Sequence, residues 1–195
     1  MIPLRGIVFD MDGTLLDSGL DFHAMRADMG LPENAPILES IRKMPAAERE
    51  RCEEILHRHE WAGADRSLPM PGALEFLATL DRRKIPRAVL TRNRRDLTIA
   101  VLARLGMDFE VIHTREDGPA KPDPAVLLSI CQAWALKPAE VAMIGDFHYD
   151  IDVGLNAGTQ TVLYTGGRDM QEFPWAAEAD LLLHSFEDAE RLLFG

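Results

Sequence analysis

Two aspartates near the start of the sequence are spaced for catalysis. Asp10 and Asp12 belong to the string DMDGTL, which directly follows the apolar run 7–9. Two carboxylates placed just beyond a strand can face one cavity, where one acts as a nucleophile and the other as a proton donor. Gly13 would let the backbone approach an anion closely. A surface turn is the alternative, whereas an EF-hand calcium loop is excluded because its sixth position must be glycine and is Leu15 here.

Two further aspartates are suited to holding a hard cation. Asp146 follows the apolar run 141–144, and Asp150 lies four residues later, in the first turn of the next predicted helix. Together with Asp10 they predict an oxygen-rich site of the kind that Mg²⁺ occupies, with water and a substrate phosphate as the remaining ligands. A helix cap followed by a solvated acid in the first turn is the alternative.

Four residues in the middle of the sequence are candidates for phosphate binding. Thr91, Arg92 and Asn93 follow a predicted strand and precede a helix, where hydroxyl and backbone N–H groups can bind phosphate. Lys121 is followed by two prolines within three positions, which stiffen its segment. An ammonium held beside carboxylates can neutralise a bound phosphoryl group. An ordinary helix cap and a solvated loop lysine are the alternatives.

An alternation of strands and helices positions these residues. Strand patterns occur at 7–9, 87–90, 109–113, 141–144, 161–164 and 181–183, and helical patterns at 73–83, 96–105, 124–136, 150–157 and 186–194. This alternation predicts an α/β fold with a parallel sheet. Ligands of such sheets bind beyond the carboxyl ends of the strands. Because Asp10, Thr91 and Asp146 each directly follow a strand, we expect them at one edge of the sheet.

Residues 17–69 have a different pattern. They are polar, poor in β-branched residues and helical in periodicity, most clearly over 46–61. We predict an all-helical insert after the first strand, with residues 1–16 and 70–195 forming one α/β core. A chain of 195 residues can bury such a core without disulfides or a structural metal.

The amino-acid composition indicates the cellular compartment and excludes some classes of binding partner. The 21 basic and 32 acidic residues leave a net charge of −11, which argues against nucleic acid or an anionic membrane as the main partner. The sequence contains neither an apolar run of membrane-spanning length nor a pattern typical of a signal peptide, so a cytoplasmic protein is expected. Cys52 and Cys131 are predicted to be reduced core residues.

Four motifs in order resemble those of the haloacid dehalogenase-like superfamily: Asp10-x-Asp12-Gly13-Thr14, Thr91, Lys121-Pro122 and Gly145-Asp146-x-x-x-Asp150. Within it, the sequence is most similar to phosphoglycolate phosphatase-like and β-phosphoglucomutase-like members. The resemblance spans nearly the whole chain. It implies a Rossmann-like core with a small helical cap inserted after the first strand.

The resemblance also implies roles for the candidate residues. Asp10 would attack phosphorus and form an aspartyl-phosphate, while Asp12 would protonate the leaving oxygen and then activate water. Thr91 and the backbone around Asn93 would hold phosphoryl oxygens, and Lys121 would bridge Asp10 and the phosphate. The implied Mg²⁺ ligands are Asp10, the main-chain carbonyl of Asp12, Asp146 and, directly or through water, Asp150.

The implied function is that of a Mg²⁺-dependent phosphatase, which hydrolyses a small phosphorylated metabolite. We expect the protein to be a monomer or a homodimer. The acid at Asp12 disfavours carbon–halogen cleavage, because a halide leaves without a proton. A phosphosugar mutase, whose cap must shield the phosphorylated intermediate from water, is one alternative. A binding module that keeps the fold without turnover is another.

Substrate contacts stay open at the level of the sequence. The run 92–95 is unusually basic, and His23 lies near the position where phosphoglucomutase-like relatives use a cap histidine. Four basic residues of the insert could contact a second anionic group or could form a solvated face: Arg42, Lys43, Arg49 and Arg51.

Overall fold

The computed structural model describes residues 3–195, which form two compact units. One unit contains the residues up to Asp17 and from Leu68 onward, and the other is Ser18–Ser67. The strands are β1 (Gly6–Phe9), β2 (Leu16–Asp17), β3 (Leu68–Pro69), β4 (Arg87–Leu90), β5 (Val111–His113), β6 (Val141–Gly145), β7 (Gln160–Tyr164) and β8 (Leu181–Leu183). The helices are α1 (Phe22–Met29), α2 (Ile37–Lys43), α3 (Ala46–Arg66), α4 (Ala73–Arg83), α5 (Arg95–Arg104), α6 (Ala125–Ala133), α7 (His148–Ala157) and α8 (Ala189–Phe194).

The larger unit is built on a six-stranded parallel sheet with the strand order β5-β4-β1-β6-β7-β8. Most of the crossover connections between the parallel strands contain an α-helix, whereas the connection from β7 to β8 contains two short 3₁₀ turns. The predicted Rossmann-like α/β fold is therefore confirmed. The sheet order changes direction around β1, and such a position is where open α/β sheets bind their ligands.

Both faces of the sheet are buried. Val8 of β1 belongs to one apolar cluster with Leu127 of α6, while the next residue, Phe9, packs edge-on against Phe76 and Phe109 at ring-centroid distances of 6.2 and 6.1 Å. Successive side chains of a strand point to opposite faces, so a strand covered on both sides has no polar position. This explains the continuous apolar runs in the sequence.

Several element boundaries differ from the predicted ones. β5 begins at Val111 instead of 109, because Phe109 is buried against Phe9 instead of pairing in the sheet. The final predicted helix starts as a 3₁₀ turn, Phe186–Asp188, before α8. The short antiparallel pair of β2 and β3 was not predicted, because two residues are too few to show a period.

The unit Ser18–Ser67 has a core of its own. Its helices contribute Met25 and Met29 from α1, Ile41 from α2, and Cys52 and Leu56 from α3. Cys52 is buried and free, as is the other cysteine of the chain, which confirms the prediction of unpaired core cysteines. None of the helices within residues 3–195 is long and apolar enough to cross a membrane.

The basic residues predicted as possible ligand contacts of this unit have varied surroundings. Arg49 Nη2 donates to the carbonyl of Met44 (3.0 Å), and Arg51 Nη2 donates to the carbonyl of Met29 (3.1 Å), at the ends of α2 and α1. Cations bound there stabilise the carbonyls that a helix end leaves without partners. His23 lies 3.7 Å from a carboxylate oxygen of Glu33. All of these side chains are exposed, namely those of Arg42, Lys43, Arg49, Arg51 and His23.

Candidate active site

Three adjacent strands deliver the candidate residues to one edge of the sheet. β1 lies between β4 and β6, and its last residue, Phe9, pairs with Val89 and Ile144. The residues that follow these strands, Asp10, Thr91 and Asp146, therefore leave the sheet on the same side. The convergence expected from the sequence is present.

A buried lysine joins two of the aspartates. Lys121 Nζ lies 2.5 Å from Oδ1 of Asp10 and 2.6 Å from Oδ1 of Asp150, and the lysine side chain is 3% exposed. Lys121 and Asp10 are 111 positions apart in sequence. Burial opposes the charge on Lys121, but Asp10 and Asp150 outweigh it, so the pKa of the lysine is raised and the ammonium stays charged.

The start of α7 positions Asp150. Its Oδ2 accepts a hydrogen bond from the backbone N–H of Phe147 (3.0 Å), while its Oδ1 accepts one from Lys121. A Cβ at Gly145 would collide with the Asp150 side chain, so this close approach requires glycine. Asp150 therefore completes the first turn of α7 and orients Lys121 at the same time.

Asp10, Asp146 and Asp150 form a cluster suited to a cation. Each offers a carboxylate oxygen, and these three oxygens lie within 4.8 Å of one another. Burial raises the pKa of Asp10 well above its ordinary value, and the two other carboxylates raise it further, against the lowering effect of Lys121. Burial and then Asp150 also raise the pKa of Asp146. The oxygen donors of the cluster fit a hard cation such as Mg²⁺, whose charge would offset the mutual repulsion of the carboxylates.

Asp146 has a partner for each of its oxygens. Thr14 Oγ1 donates to Oδ1 (3.3 Å), and Arg168 Nη2 donates to Oδ2 (3.0 Å). Gly13 has φ +81°, and a Cβ there would strike the Asp146 carboxylate. Arg168 was not among the predicted site residues. The sequence gives only a weak indication of this role, since Arg168 is simply a basic residue that follows two glycines after β7.

Asn93 has a role that the sequence did not indicate. Thr91 Oγ1 accepts a hydrogen bond from the backbone N–H of Asn93 (3.1 Å), and Asn93 Nδ2 donates to Oδ2 of Asp12 (3.1 Å). The side chain of Asn93 is therefore tied to Asp12, whose carboxylate lies outside the three-carboxylate cluster. The predicted use of Thr91 and Asn93 in holding phosphate stays a prediction.

The arginines of the basic run 92–95, which follows β4, contact nearby acidic or aromatic side chains. Arg92 places its guanidinium 4.7 Å from the ring centroid of Tyr149, in the first turn of α7. Arg94 and Arg95 pair with Asp96 (2.9 Å) and Asp117 (2.5 Å). Arg92 thus contacts α7, the helix that begins at the carboxylate cluster.

Asp117 supports the start of α5, which follows the predicted phosphate-binding residues. It accepts hydrogen bonds from the backbone N–H (2.8 Å) and Oγ1 (2.7 Å) of Thr114 and pairs with Arg95. Burial alone would raise its pKa, but the bonds from Arg95 and Thr114 outweigh this and lower the pKa from 3.8 to about 2. The stability it contributes is therefore present above pH 3.8 and is lost as the pH falls through 2.

Asp117→Asn is expected to lower the free energy of unfolding by about 1 kcal/mol at pH 7 and by much less at pH 2, because about half of the wild-type carboxyl is then protonated and most of the stability linked to its charge is lost. Urea unfolding at both pH values measures this difference. Asp108→Asn, a change of an exposed aspartate just before β5, serves as the control. An equal loss at both pH values would contradict a role for the charge of Asp117.

The fold and the site define a hydrolase of the haloacid dehalogenase-like type. Residues 4–158 match the family of that description, haloacid dehalogenase-like hydrolase, and the chain belongs to this family. It is 38% identical over 172 residues to a haloacid dehalogenase-like hydrolase domain-containing protein of Arabidopsis thaliana, covering 82% of this chain and 70% of the relative.

Other relatives carry phosphatase names. The N-acetylmuramic acid 6-phosphate phosphatase of Pseudomonas aeruginosa is 33% identical over 184 residues, which cover 81% of this chain and 80% of the relative. The phosphoglycolate phosphatase of Thiobacillus denitrificans is 28% identical over 221 residues, covering 93% and 96%.

Solved structures agree with this placement. A hydrolase from Pseudomonas syringae superposes with a TM-score of 0.80 at 26% identity, over 98% of both chains. A structure described as a predicted phosphoglycolate phosphatase, from Haemophilus somnus, gives a TM-score of 0.78 at 22% identity, over 97% of both chains. The predicted family, the predicted branch and the predicted enzyme class, a phosphatase, are confirmed.

Proposed function

We propose that this protein is a Mg²⁺-dependent phosphatase that hydrolyses a small phosphorylated metabolite through an aspartyl-phosphate on Asp10, in the manner implied for phosphoglycolate phosphatase-like enzymes. One observation carries the proposal. The Lys121 ammonium lies between the buried carboxylates of Asp10 and Asp150, at the edge of the sheet that also presents Asp146. The residue proposed as the nucleophile, a buried ammonium and a carboxylate cluster suited to a cation therefore lie together there.

In the first half of the reaction, a carboxylate oxygen of Asp10 attacks phosphorus and the bond from phosphorus to the ester oxygen breaks. The departing alkoxide takes a proton from Asp12, because an alkoxide is too basic to leave unprotonated. The hydrogen bond from Asn93 to Asp12 keeps this acid in a defined position. Asp10 ends as the aspartyl-phosphate, and Asp12 ends as the carboxylate.

In the second half, Asp12 accepts a proton from water while the water oxygen attacks phosphorus. The acyl phosphate bond breaks, inorganic phosphate leaves, and Asp10 and Asp12 return to their starting states. Lys121 stabilises the negative charge of the phosphoryl oxygens in both halves. Thr91, Arg92 and the backbone around Asn93 are assigned to the remaining phosphoryl oxygens, since the side chain of Asn93 is bonded to Asp12.

The ligands proposed for Mg²⁺ are Asp10, Asp146, Asp150 and the main-chain carbonyl of Asp12. When bound, the ion supplies positive charge against the phosphoryl oxygens. The cluster provides the matching negative charge, because its three carboxylates outnumber the contacting cations of Lys121 and Arg168. Burial raises the pKa of Asp10, and the nearby carboxylates of Asp150 and Asp146 raise it further, so an added cation would favour the ionised nucleophile.

Removal of divalent metal is expected to abolish turnover. EDTA should inactivate the protein, and Mg²⁺ should restore activity, because the nucleophile and the phosphoryl group otherwise repel each other. Ca²⁺ should restore it poorly, since it is larger and takes more ligands. Phosphate release measured after dialysis and metal addition tests this. Full activity of the metal-free protein would contradict the assignment of Asp146 and Asp150 as ligands.

The substrate class follows from chemistry shared among the relatives. The two relatives with phosphatase names act on N-acetylmuramic acid 6-phosphate and on phosphoglycolate, which are both small phosphate monoesters. A panel of phosphoglycolate, sugar phosphates, nucleotides and an aryl phosphate, assayed for phosphate release with Mg²⁺, tests the proposal, with Asp10→Asn as the blank. A preferred compound supports it. Transfer to a sugar phosphate without net release would indicate a mutase, and no reaction with any compound would favour a binding module.

We further propose that residues 17–69 serve as the small helical cap of the family and that residues 1–16 and 70–195 serve as its catalytic core. The protein would act in the cytoplasm as a monomer or a homodimer, on a small molecule and not on nucleic acid or a membrane. The acidic net charge of −11 supports the last point.

A further inference from the structure

Arg168 is the second cation of the carboxylate cluster, and it differs from Lys121 in how it is held. Lys121 is 3% exposed and is enclosed by two carboxylates. The Arg168 side chain is 39% exposed, and one of its terminal nitrogens, Nη2, contacts Oδ2 of Asp146 at 3.0 Å. Lys121 is therefore a permanent part of the cluster, whereas Arg168 can withdraw toward solvent.

Arg168 also has anchors that do not involve Asp146. Its Nε donates to the carbonyl of Thr165 (3.0 Å), and its guanidinium lies 4.8 Å from the ring centroid of Phe173. These contacts hold the base of the guanidinium beside the cluster. Because the guanidinium is a rigid plane, Nη2 can leave the Asp146 carboxylate only if the end of the side chain rotates toward solvent, which strains these two contacts and adds to the cost of displacing Arg168.

We propose that Arg168 is the counter-ion of Asp146 in the metal-free protein, and that a divalent cation must displace it from Oδ2 to bind. This inference rests on the proposed Mg²⁺ dependence. The physical reason is competition, since a guanidinium and a divalent cation both seek the oxygens of a mostly buried carboxylate, and their like charges repel at that distance. Arg168 is thus a residue that sets the affinity for the metal, acting through Asp146.

A purely structural role for Arg168 leads to the opposite result. If the guanidinium only oriented Asp146 for the metal, its removal would weaken metal binding. If it competes with the metal, its removal tightens metal binding and leaves the metal-free protein with an uncompensated carboxylate. The sign of the change in affinity therefore separates the two roles.

The test is calorimetric titration of the metal-free protein with Mg²⁺, without substrate. In Arg168→Gln the Kd for Mg²⁺ is expected to fall about fivefold, the equivalent of ~1 kcal/mol. The Tm of the metal-free variant should be lower than that of the metal-free wild type, and the increase on adding Mg²⁺ should be larger. Arg168→Lys, which keeps the charge, should bind Mg²⁺ within about twofold of wild type.

Arg83 provides a matched control. It pairs with Glu190 (2.8 Å), lies 4.9 Å from the ring centroid of Phe194 and is 42% exposed, so Arg83→Gln removes the same kinds of contact at the end of α4. Its Kd for Mg²⁺ should equal that of wild type. An unchanged or weaker affinity in Arg168→Gln would overturn the inference alone. A wild-type protein that binds no Mg²⁺ would overturn the inference together with the proposed metal dependence.

Discussion

Asp10→Asn is expected to lower kcat/KM for any substrate by at least ~10³-fold, which corresponds to ~4 kcal/mol of transition-state stabilisation. An amide is nearly the same size as a carboxylate but is a poor nucleophile, so no aspartyl-phosphate can form. The substitution also removes one negative charge from a buried cluster in which the pKa of Asp10 is already raised. The fold should therefore survive the change.

Two measurements accompany this prediction. Phosphate release under saturating Mg²⁺ gives the loss of activity, and thermal unfolding shows that the variant is folded. Asp152→Asn, which changes an aspartate of α7 outside the carboxylate cluster, is the matched control and should retain wild-type activity. Residual activity of Asp10→Asn within about tenfold of wild type would refute the role of Asp10 as the nucleophile.

Lys121→Met is expected to affect both stability and activity. The substitution keeps an unbranched side chain of similar length but leaves the buried carboxylates of Asp10 and Asp150 without their shared cation. Breaking a buried pair on one side costs ~3–5 kcal/mol of the free energy of unfolding. Activity should fall by at least ~10²-fold, because a fixed positive charge beside the phosphoryl group is lost.

The loss of stability in Lys121→Met should depend on pH. Burial already raises the pKa of Asp10, and Lys121 is the group that lowers it, so the variant raises that pKa further. The folded variant then binds a proton on Asp10 at a pH where the unfolded chain does not, so its stability increases as the pH falls from 7 toward 5. Urea unfolding at both pH values measures this.

An exposed lysine provides the comparison for this experiment. Lys137→Met alters a solvent-facing residue before β6 and should change stability by less than ~0.5 kcal/mol. A loss in Lys121→Met no larger than that of Lys137→Met would show that the buried ion pairs contribute nothing to the fold.

Much of the site was predictable because each of its polar residues directly follows an apolar strand. Asp10 and Asp146 leave β1 and β6, and parallel strands bring their carboxyl ends to one edge whatever the rest of the chain does. Lys121 does not lie on a strand and was identified as a site residue through the order of the four motifs. Local sequence alone could not place this lysine, since its contact with Asp10 spans 111 positions and depends on how a loop packs.

Other features were unpredictable for physical reasons. The pairing of Asn93 with Asp12 and of Arg168 with Asp146 joins segments separated by 81 and 22 positions, and neither pair has a characteristic spacing. The guanidinium of Arg51 binds a carbonyl at the end of α1, although the sequence equally permitted a free basic face. Side-chain direction and burial decide such contacts, and periodicity reports only which face of an element is apolar.

The sequence by itself determined the α/β class, the edge of the sheet where the candidate residues meet and the identity of the carboxylates there, because strand burial and turn chemistry are local properties. The tertiary structure decided which carboxylate each cation serves. Lys121 is enclosed between Asp10 and Asp150, and Arg168 is left partly in solvent beside Asp146. The difference arises from desolvation, which depends on every element packed around a charge and not on the spacing of residues along the chain.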